Sequence, residues 1–516
     1  MFNQARLLNK LIAVLFGISL GTLVNDNYAT SNQSRTQSKA VTTAYLFQTA
    51  RPLSSNFFCF NTNSLRVKSW QEPKFWQAVN LVNPRMLRIP GGTESNYWDW
   101  QRGGLIKNVR EAMAGFPYGF SPQDRKYQAG KLENIQIGLE KTNIKPLFVL
   151  NLSTSNLASQ LAMLRTAKKL GLSVQYIELG NELYLDVINN RRIFPQPEDY
   201  GKEVVTWISA IKQEFPEAKI AINGIVPIEA ESPRLQNWNQ SLLVHALAKA
   251  DAITLHIYGG HGLKQNTIYS ESYPFFSEAD FNTILSIPFK RWQVIKNAKH
   301  FKLLPPKKKI WITEYNLFEN IFFDHQGKKP RVMGSWTHGL YAISMSLLFL
   351  EDPRIELICN HELIGKFYFA SILEDEKSFI NPLDQSRLGA AYNLSATGSA
   401  LSLLGNATEG MTSAQKINFS KNITLTGNDE FQYPALYGWM FSNGKDKNSI
   451  ITNLSDRNIE IEISSLFNQA INYETISGSP RDLITKPGIL KEEKGSIKET
   501  IILPPYSVTK LSSNKD

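Results

Sequence analysis

Cysteine is nearly missing from this chain, which has only Cys59 and Cys359 in 516 residues. That excludes a disulfide-rich scaffold and leaves stability to a packed apolar core. Both cysteines have apolar flanks, and a bridge between adjacent parallel strands is geometrically demanding, so two buried thiols are the expectation and a bridge the alternative. The cysteines and the seven histidines nowhere show metal-ligand spacing, and no glycine-rich loop follows a strand-like run. No metal and no nucleotide cofactor is therefore expected. Nucleic-acid motifs are lacking too. The net charge of +10 is dispersed, and its densest cluster, Lys307-Lys308-Lys309, reads as a solvated surface, so no nucleic-acid partner is expected.

A long hydrophobic run is also wanting. The apolar stretch from Leu11 to Val24, behind Arg6 and Lys10, is shorter than the roughly 20 residues that cross a bilayer. It reads as the core of a signal peptide over residues 1–29, followed by a polar tether from Ser31 to Lys39. Asn27 stands where a small residue is usual before cleavage, which leaves an uncleaved membrane anchor as the alternative. The expected location is secreted or periplasmic. Oligomeric state is left open.

What the chain does have is a rhythm. Eight short apolar runs end in or near Gly, Asn, His or Glu: Asn56 to Asn61, Arg85 to Thr93, Lys145 to Ser153, Val174 to Glu182, Lys219 to Val226, Ala252 to Gly260, Lys309 to Asn316 and Ile355 to Glu362. Helix-period segments such as Asn156 to Leu170 and Tyr200 to Phe215 separate them. Strands alternating with helices predict an α/β fold, a (β/α)8 TIM barrel over residues 54–397. Three long connections, Gln101 to Asn143, Gly260 to Pro306 and Leu317 to Arg354, lie where substrate choice is usually shaped. Tyr269, Tyr273, Phe275 and Phe276 in the second either wall a sugar site or pack the loop. After about residue 400 the pattern changes to short alternating strands with turn signals, which predicts a C-terminal β-sandwich over residues 398–516. Residues 30–53 are a linker whose Thr43 to Phe47 could add a strand to that sandwich.

Two of the barrel runs close on a carboxylate. Ile177 to Glu182 ends in Gly-Asn-Glu, and Ile310 to Asn316 carries Thr313-Glu314-Tyr315. Catalytic residues of such barrels sit at the carboxyl ends of different strands on one face, so Glu182 and Glu314 can converge on one pocket. Hydrolysis of a glycoside with retention needs one carboxyl as acid/base and a second, roughly 5 Å away, as nucleophile. Arg88 at the end of the second run is the candidate cation beside Glu314, and Glu178 is expected in a structural network with a barrel Arg or Lys.

These residues resemble a clan of retaining glycoside hydrolases whose two glutamates end strands four and seven. Leu87 to Thr93 with Tyr97-Trp98-Asp99-Trp100 is similar to the second-strand signature of the α-L-arabinofuranosidase families. Glu178-Leu179-Gly180-Asn181-Glu182 resembles the acid/base segment of heparanase-type β-glucuronidases, and Leu503 to Val508 resembles the last sandwich strand of both. The resemblance implies that Glu182 is the general acid/base and Glu314 the nucleophile. It also implies that Asn181 binds the hydroxyl next to the anomeric carbon and that Tyr258 lies close to the nucleophile. Alternation puts His256 on the same face as Tyr258. Trp98 or Trp100 is expected either to stack on a sugar face or to pack in the core, and His361 is the candidate pocket histidine at the end of strand eight. The expected partner is an oligosaccharide or polysaccharide and the expected activity retaining O-glycoside hydrolysis, on α-L-arabinofuranosides or β-glucuronides. A non-catalytic polysaccharide-binding protein on this fold and a transglycosylase are the alternatives. After Glu182 the chain reads Leu183-Tyr184, unlike the Pro-Asn common in heparanase-like proteins.

Overall fold

A computed structural model describes residues 41–46, 49–62, 65, 70–113, 129–226, 232–260, 278–318, 332–365, 370–374, 391–427, 429–482, 484 and 487–513. The leader and the aromatics Tyr269, Tyr273, Phe275 and Phe276 lie outside the described residues. Among the described residues, no helix is long and apolar enough to cross a membrane.

The eight apolar runs are the eight strands of a closed parallel barrel, joined in chain order: Phe58–Asn61, Met86–Ile89, Lys145–Leu150, Tyr176–Leu179, Lys219–Asn223, Ala252–Gly260, Lys309–Phe318 and Ile355–Asn360. Their outward residues pack on amphipathic helices. Leu157–Lys169 starts at Asn156, whose side chain accepts from the Ser159 amide, and Pro197–Glu214 starts on a reciprocal Gln196–Asp199 capping box. A C-terminal helix, Ala396–Thr408, packs on Trp336–Phe349 and Pro73–Val82 of the barrel ring. The boundary expected at 397/398 therefore falls inside a helix that belongs with the barrel, and the sandwich strands begin at Ser413.

The sandwich encloses its own apolar core, with Ile417, Met440, Ile451, Ile461 and Leu511 in it. Strand Thr42–Leu46 joins it, antiparallel to Ser413–Phe419 and parallel to Ile459–Glu462. Two strands, Thr500–Leu503 and Ser507–Ser512, end the sandwich, with a break between them. Pro504 and Pro505 lack the amide hydrogens a ladder needs. Arg51, just after the first strand, donates to the carbonyls of Leu350, Asp352 and Ile355 and ties that segment to the barrel.

The two cysteines are bonded, correcting the expectation of free thiols. Cys59 and Cys359 are register partners on the first and eighth strands, with Cα atoms 4.1 Å apart, and both point into the lower barrel interior. Alternation on two neighbouring strands in that register leaves the sulfur atoms facing each other.

Glu351 joins the barrel to the sandwich. Its carboxylate accepts from Lys416 at 2.6 Å and the Tyr437 hydroxyl at 3.0 Å on the sandwich side, and from Lys296 at 2.7 Å and Trp292 at 3.2 Å on the barrel side. Burial raises the pKa of this carboxyl, but the two lysines outweigh burial and hold it at about 2, below the ordinary 4.5. A carboxyl depressed in the folded state stabilises the fold above its unfolded pKa, and that stability fades as pH falls from about 4.5 towards 2. Glu351→Gln is expected to cost about 2 kcal/mol at pH 7, after allowing for screening at the partly exposed Lys296. Urea titrations of both proteins should show the deficit at pH 7 and its shrinkage below about pH 4; an equal deficit at both pH values would contradict the ion-pair account.

Candidate active site

Polarity inside the barrel switches within one step of strand alternation. Cys59, Met86, Tyr176 and Trp311 belong to the apolar lower layer. Two positions further on the same strands stand Asn61, Arg88, Glu178 and Thr313, which form a buried polar layer beneath the upper mouth.

Arg88 is the hub of that layer and is fully buried. Its Nε donates to Glu178 at 2.6 Å, Nη1 to Asn61 at 2.7 Å and to Glu314 at 2.8 Å, and Nη2 to the Asn181 side-chain oxygen at 2.7 Å. Burial alone would lower its pKa, but Glu178 and Glu314 reverse the effect and raise it. Glu178 accepts in addition from Thr313 Oγ1 at 3.1 Å and Asn223 at 3.3 Å. Glu178 therefore balances the cation from below and leaves the upper mouth to Glu314.

Strict alternation would turn Glu314 away from the interior, because Thr313 already points inward. A bulge corrects this. The register between the sixth and seventh strands runs Leu255 to Ile312 and then His256 to Glu314, skipping Thr313, so two consecutive side chains face the pocket. Glu314 Oε2 then accepts from the Tyr258 hydroxyl at 2.6 Å and lies 3.6 Å from His256 Nδ1 and 3.5 Å from His361 Nδ1. Burial raises the Glu314 pKa. The charges of His256, His361 and Arg88 and the Tyr258 hydrogen bond outweigh it and hold the carboxyl at about 2. It is an anion at any ordinary pH, fixed from three sides.

Glu182 stands across from it. Gly180, at φ 85°, permits a turn in which an added Cβ would collide with Leu183. Two residues later Glu182 itself occupies the left-handed region, at φ 48°. A non-glycine residue there costs of order 1–2 kcal/mol, and such costs gather at functional sites. His256 Nδ1 lies 2.9 Å from Glu182 Oε1, and its Nε2 lies 3.1 Å from Thr313 Oγ1. Since the Thr313 hydroxyl donates to Glu178, it accepts from His256, which fixes a hydrogen on Nε2. Burial lowers the His256 pKa, but the charges of Glu314 and Glu182 reverse this and raise it. The oxygens of Glu182 and Glu314 and a His256 nitrogen all lie within 4.8 Å of one another. Three such groups could ligate a metal in principle.

Asn181 is held from two sides. Its amide and carbonyl pair with Asn96 at 3.0 and 2.7 Å, and Arg88 takes its side-chain oxygen. The buried Asn181 Nδ2 is left without a hydrogen-bond partner among the described residues. A buried donor without a partner is costly unless a ligand supplies the acceptor.

Trp98 takes the core position and not the sugar-stacking one. The ring is 1 % exposed, packed in the barrel's main apolar core, and Nε1 donates to the Gly130 carbonyl at 3.2 Å. It supports the second-strand loop and is not a stacking platform. Trp100, half-buried, donates to Ser159. Asn61, Asn96, Thr313 and Tyr184 also belong to the site, although no sequence motif marks them. Asn61 is recoverable from register, since it pairs with Arg88 at the end of the neighbouring strand; Thr313 is not, because its place beside an inward-facing Glu314 depends on the bulge.

No protein-family profile matches this sequence, and no curated protein matches it significantly. Its structure does have relatives. A family 51 α-L-arabinofuranosidase from Bifidobacterium longum superposes with a TM-score of 0.66 at 13 % identity, over 91 % of this chain and 99 % of that one. The family 51 arabinofuranosidase of Xanthomonas axonopodis pv. citri gives 0.65 at 14 %, over 92 % and 99 %. A 4-O-α-L-rhamnosyl-β-D-glucuronidase from Fusarium oxysporum gives 0.56 at 12 %, over 91 % and 98 %. The chain thus has the barrel-and-sandwich fold found in these glycoside hydrolases, from end to end of their length.

Proposed function

We propose that this protein is a retaining O-glycoside hydrolase with Glu314 as nucleophile and Glu182 as general acid/base. The observation that carries the reading is the carboxyl separation: oxygens of the two glutamates lie within 4.8 Å of each other. Retaining enzymes hold their carboxyl groups about 5–5.5 Å apart, whereas inverting ones leave about 6.5–9.5 Å for a water. The electrostatic division of labour supports the same roles. Glu314 is kept ionised beside Arg88, Tyr258 and two histidines, as a nucleophile aimed at an anomeric carbon should be. Glu182 stands on the opposite wall, where it can protonate the leaving oxygen and later deprotonate water.

The preferred sugar is a neutral one of the arabinofuranoside kind. Among the described residues, Arg88, His256 and His361 each face a protein carboxylate, and Glu178, Glu182, Glu314 and Glu362 surround them. A uronate entering this ring would add a further anion. The leader-like N-terminus favours an extracellular or periplasmic glycan as the source.

A panel of aryl glycosides that includes α-L-arabinofuranoside and β-D-glucuronide, with the product anomer read by NMR, tests the assignment. Release of one sugar with retained configuration is the expected result; an inverted product would rule out the nucleophile and acid/base roles of the two glutamates. Asn181→Ala is expected to lower kcat about 100-fold with little change in KM, because the Asn181 Nδ2 donor strengthens its bond to the neighbouring sugar hydroxyl mainly in the transition state. A rise in KM alone would mean that Asn181 binds the ground state only.

A further inference from the structure

One oxygen of Glu182 is held by two side chains. Oε1 lies 2.9 Å from His256 Nδ1 and 3.2 Å from the Tyr184 hydroxyl. His256 meets Oε1 through Nδ1, its other ring nitrogen being held by the Thr313 hydroxyl. Tyr184 is buried, and burial first, then the charges of Glu182 and Glu314, push its hydroxyl well above the ordinary 10, so it stays a neutral O–H. Both of these side-chain contacts of Glu182 fall on Oε1, and among the described residues no side chain bonds to Oε2. Oε2 is therefore the oxygen left for the substrate.

Tyr184 is itself built in. Its ring meets Trp238 edge-on at 6.2 Å, and Trp238 is anchored through Nε1 to the Asn223 carbonyl at 2.7 Å. The Arg234 guanidinium lies 5.1 Å over Trp238 and donates to the carbonyls of Leu183 at 2.9 Å, Tyr184 at 3.2 Å and Phe194 at 2.6 Å. Asn190 adds a bond to the Glu182 carbonyl at 3.1 Å. The segment that follows the acid/base, including its left-handed turn, is clamped from outside the pocket.

We propose that Tyr184 is a positioning residue for the general acid/base: with His256 it pins Oε1 of Glu182, so that Oε2 carries the proton delivered to the glycosidic oxygen, and Arg234 braces it. The proposal rests on the glycosidase reading above. In the first half-reaction the Oε2–H bond breaks as the leaving oxygen gains the proton, the C1–O bond breaks, and a Glu314 oxygen bonds to C1. In the second, Oε2 takes a proton from water as the water oxygen displaces Glu314 from C1. Tyr184 exchanges no proton in either step. It acts through Glu182, and it stands where heparanase-like proteins commonly have Asn.

The test is Tyr184→Phe, which removes only the hydroxyl, with Arg234→Met as a second variant that loosens the brace. Both are assayed on a series of aryl glycosides of the sugar that the wild type releases, running from dinitrophenyl to phenyl. A leaving group that departs without protonation tolerates a misplaced acid, and a poor one does not. The expected loss in kcat/KM is about 30- to 100-fold on the phenyl glycoside and at least about tenfold smaller on the dinitrophenyl one. On the latter, kcat and KM are expected to fall together, because a weakened base lets the glycosyl-enzyme accumulate. An equal loss along the series, or none on the phenyl glycoside, overturns the positioning role. Release that survives in Glu314→Gln, or no release from any glycoside by the wild type, defeats the glycosidase reading instead. Independently of activity, a crystal structure with the Tyr184 hydroxyl beyond about 3.5 Å from Glu182 overturns the proposal.

Discussion

Glu314→Gln is expected to abolish glycoside release, by at least about 10⁴-fold in kcat/KM, while the protein remains folded. The substitution keeps the shape of the side chain and removes the anion that Arg88, Tyr258 and the two histidines are arranged to hold. Without it no covalent glycosyl-enzyme forms, and the acid has nothing to work with. Azide makes the two glutamate roles separable. In Glu314→Ala, azide would attack from the vacated face and yield a glycosyl azide of inverted configuration; in Glu182→Ala, azide would replace water in the second step and yield the retained one. Swapped configurations would exchange the roles of the two residues, and activity in Glu314→Gln within tenfold of wild type would remove the mechanism altogether.

Arg88→Met is expected to have the largest effect on stability, about 3–5 kcal/mol, because it strands two buried carboxylates at once. Arg88 and Glu178 are both fully buried, with 2.6 Å between Nε and Oε2. A buried pair of this kind contributes little against an apolar replacement of both partners, but removing one leaves the other as an unpaired charge in a low-dielectric interior. The variant Arg88→Met with Glu178→Gln should therefore recover part of the loss, and urea unfolding of the singles and the double measures that coupling directly. Additive losses would show that Arg88 acts through packing alone. Activity gives a second readout: without the guanidinium, Glu314 loses one of the cations that hold it at about 2. The acid limb of the pH profile should then move to higher pH as the nucleophile becomes easier to protonate.

Much of this architecture is written locally. The eight barrel strands stand where apolar runs end in polar residues, because a strand buried on both faces must be apolar along its length and must change at the mouth. For the same reason Glu182 and Glu314 are legible as strand-end carboxylates, and Arg88 and Glu178 as interior charges in need of partners. The sandwich can be read from period-two alternation, which Pro504 and Pro505 interrupt between Thr500–Leu503 and Ser507–Ser512. The leader remains a reading of the sequence alone.

Other features depend on distance in sequence and on register. Cys59 and Cys359 are 300 residues apart, and nothing local says that their strands pair in a register that puts the sulfurs together. A tryptophan such as Trp98 suits a sugar platform or a core, and it lies in the core because packing beneath the second-strand loop was available to it. The inward turn of Glu314 beside Thr313 comes from a one-residue bulge between the sixth and seventh strands. The clamp on Oε1 of Glu182 joins side chains from the sixth strand and from the segment after the fourth. Sequence by itself determined which residues could lie at the mouth of the barrel, since burial and alternation act over a few positions. Only the tertiary structure decided which of them meet and how their charges are balanced, because pairing, dielectric and charge balance are properties of groups brought together from distant parts of the chain.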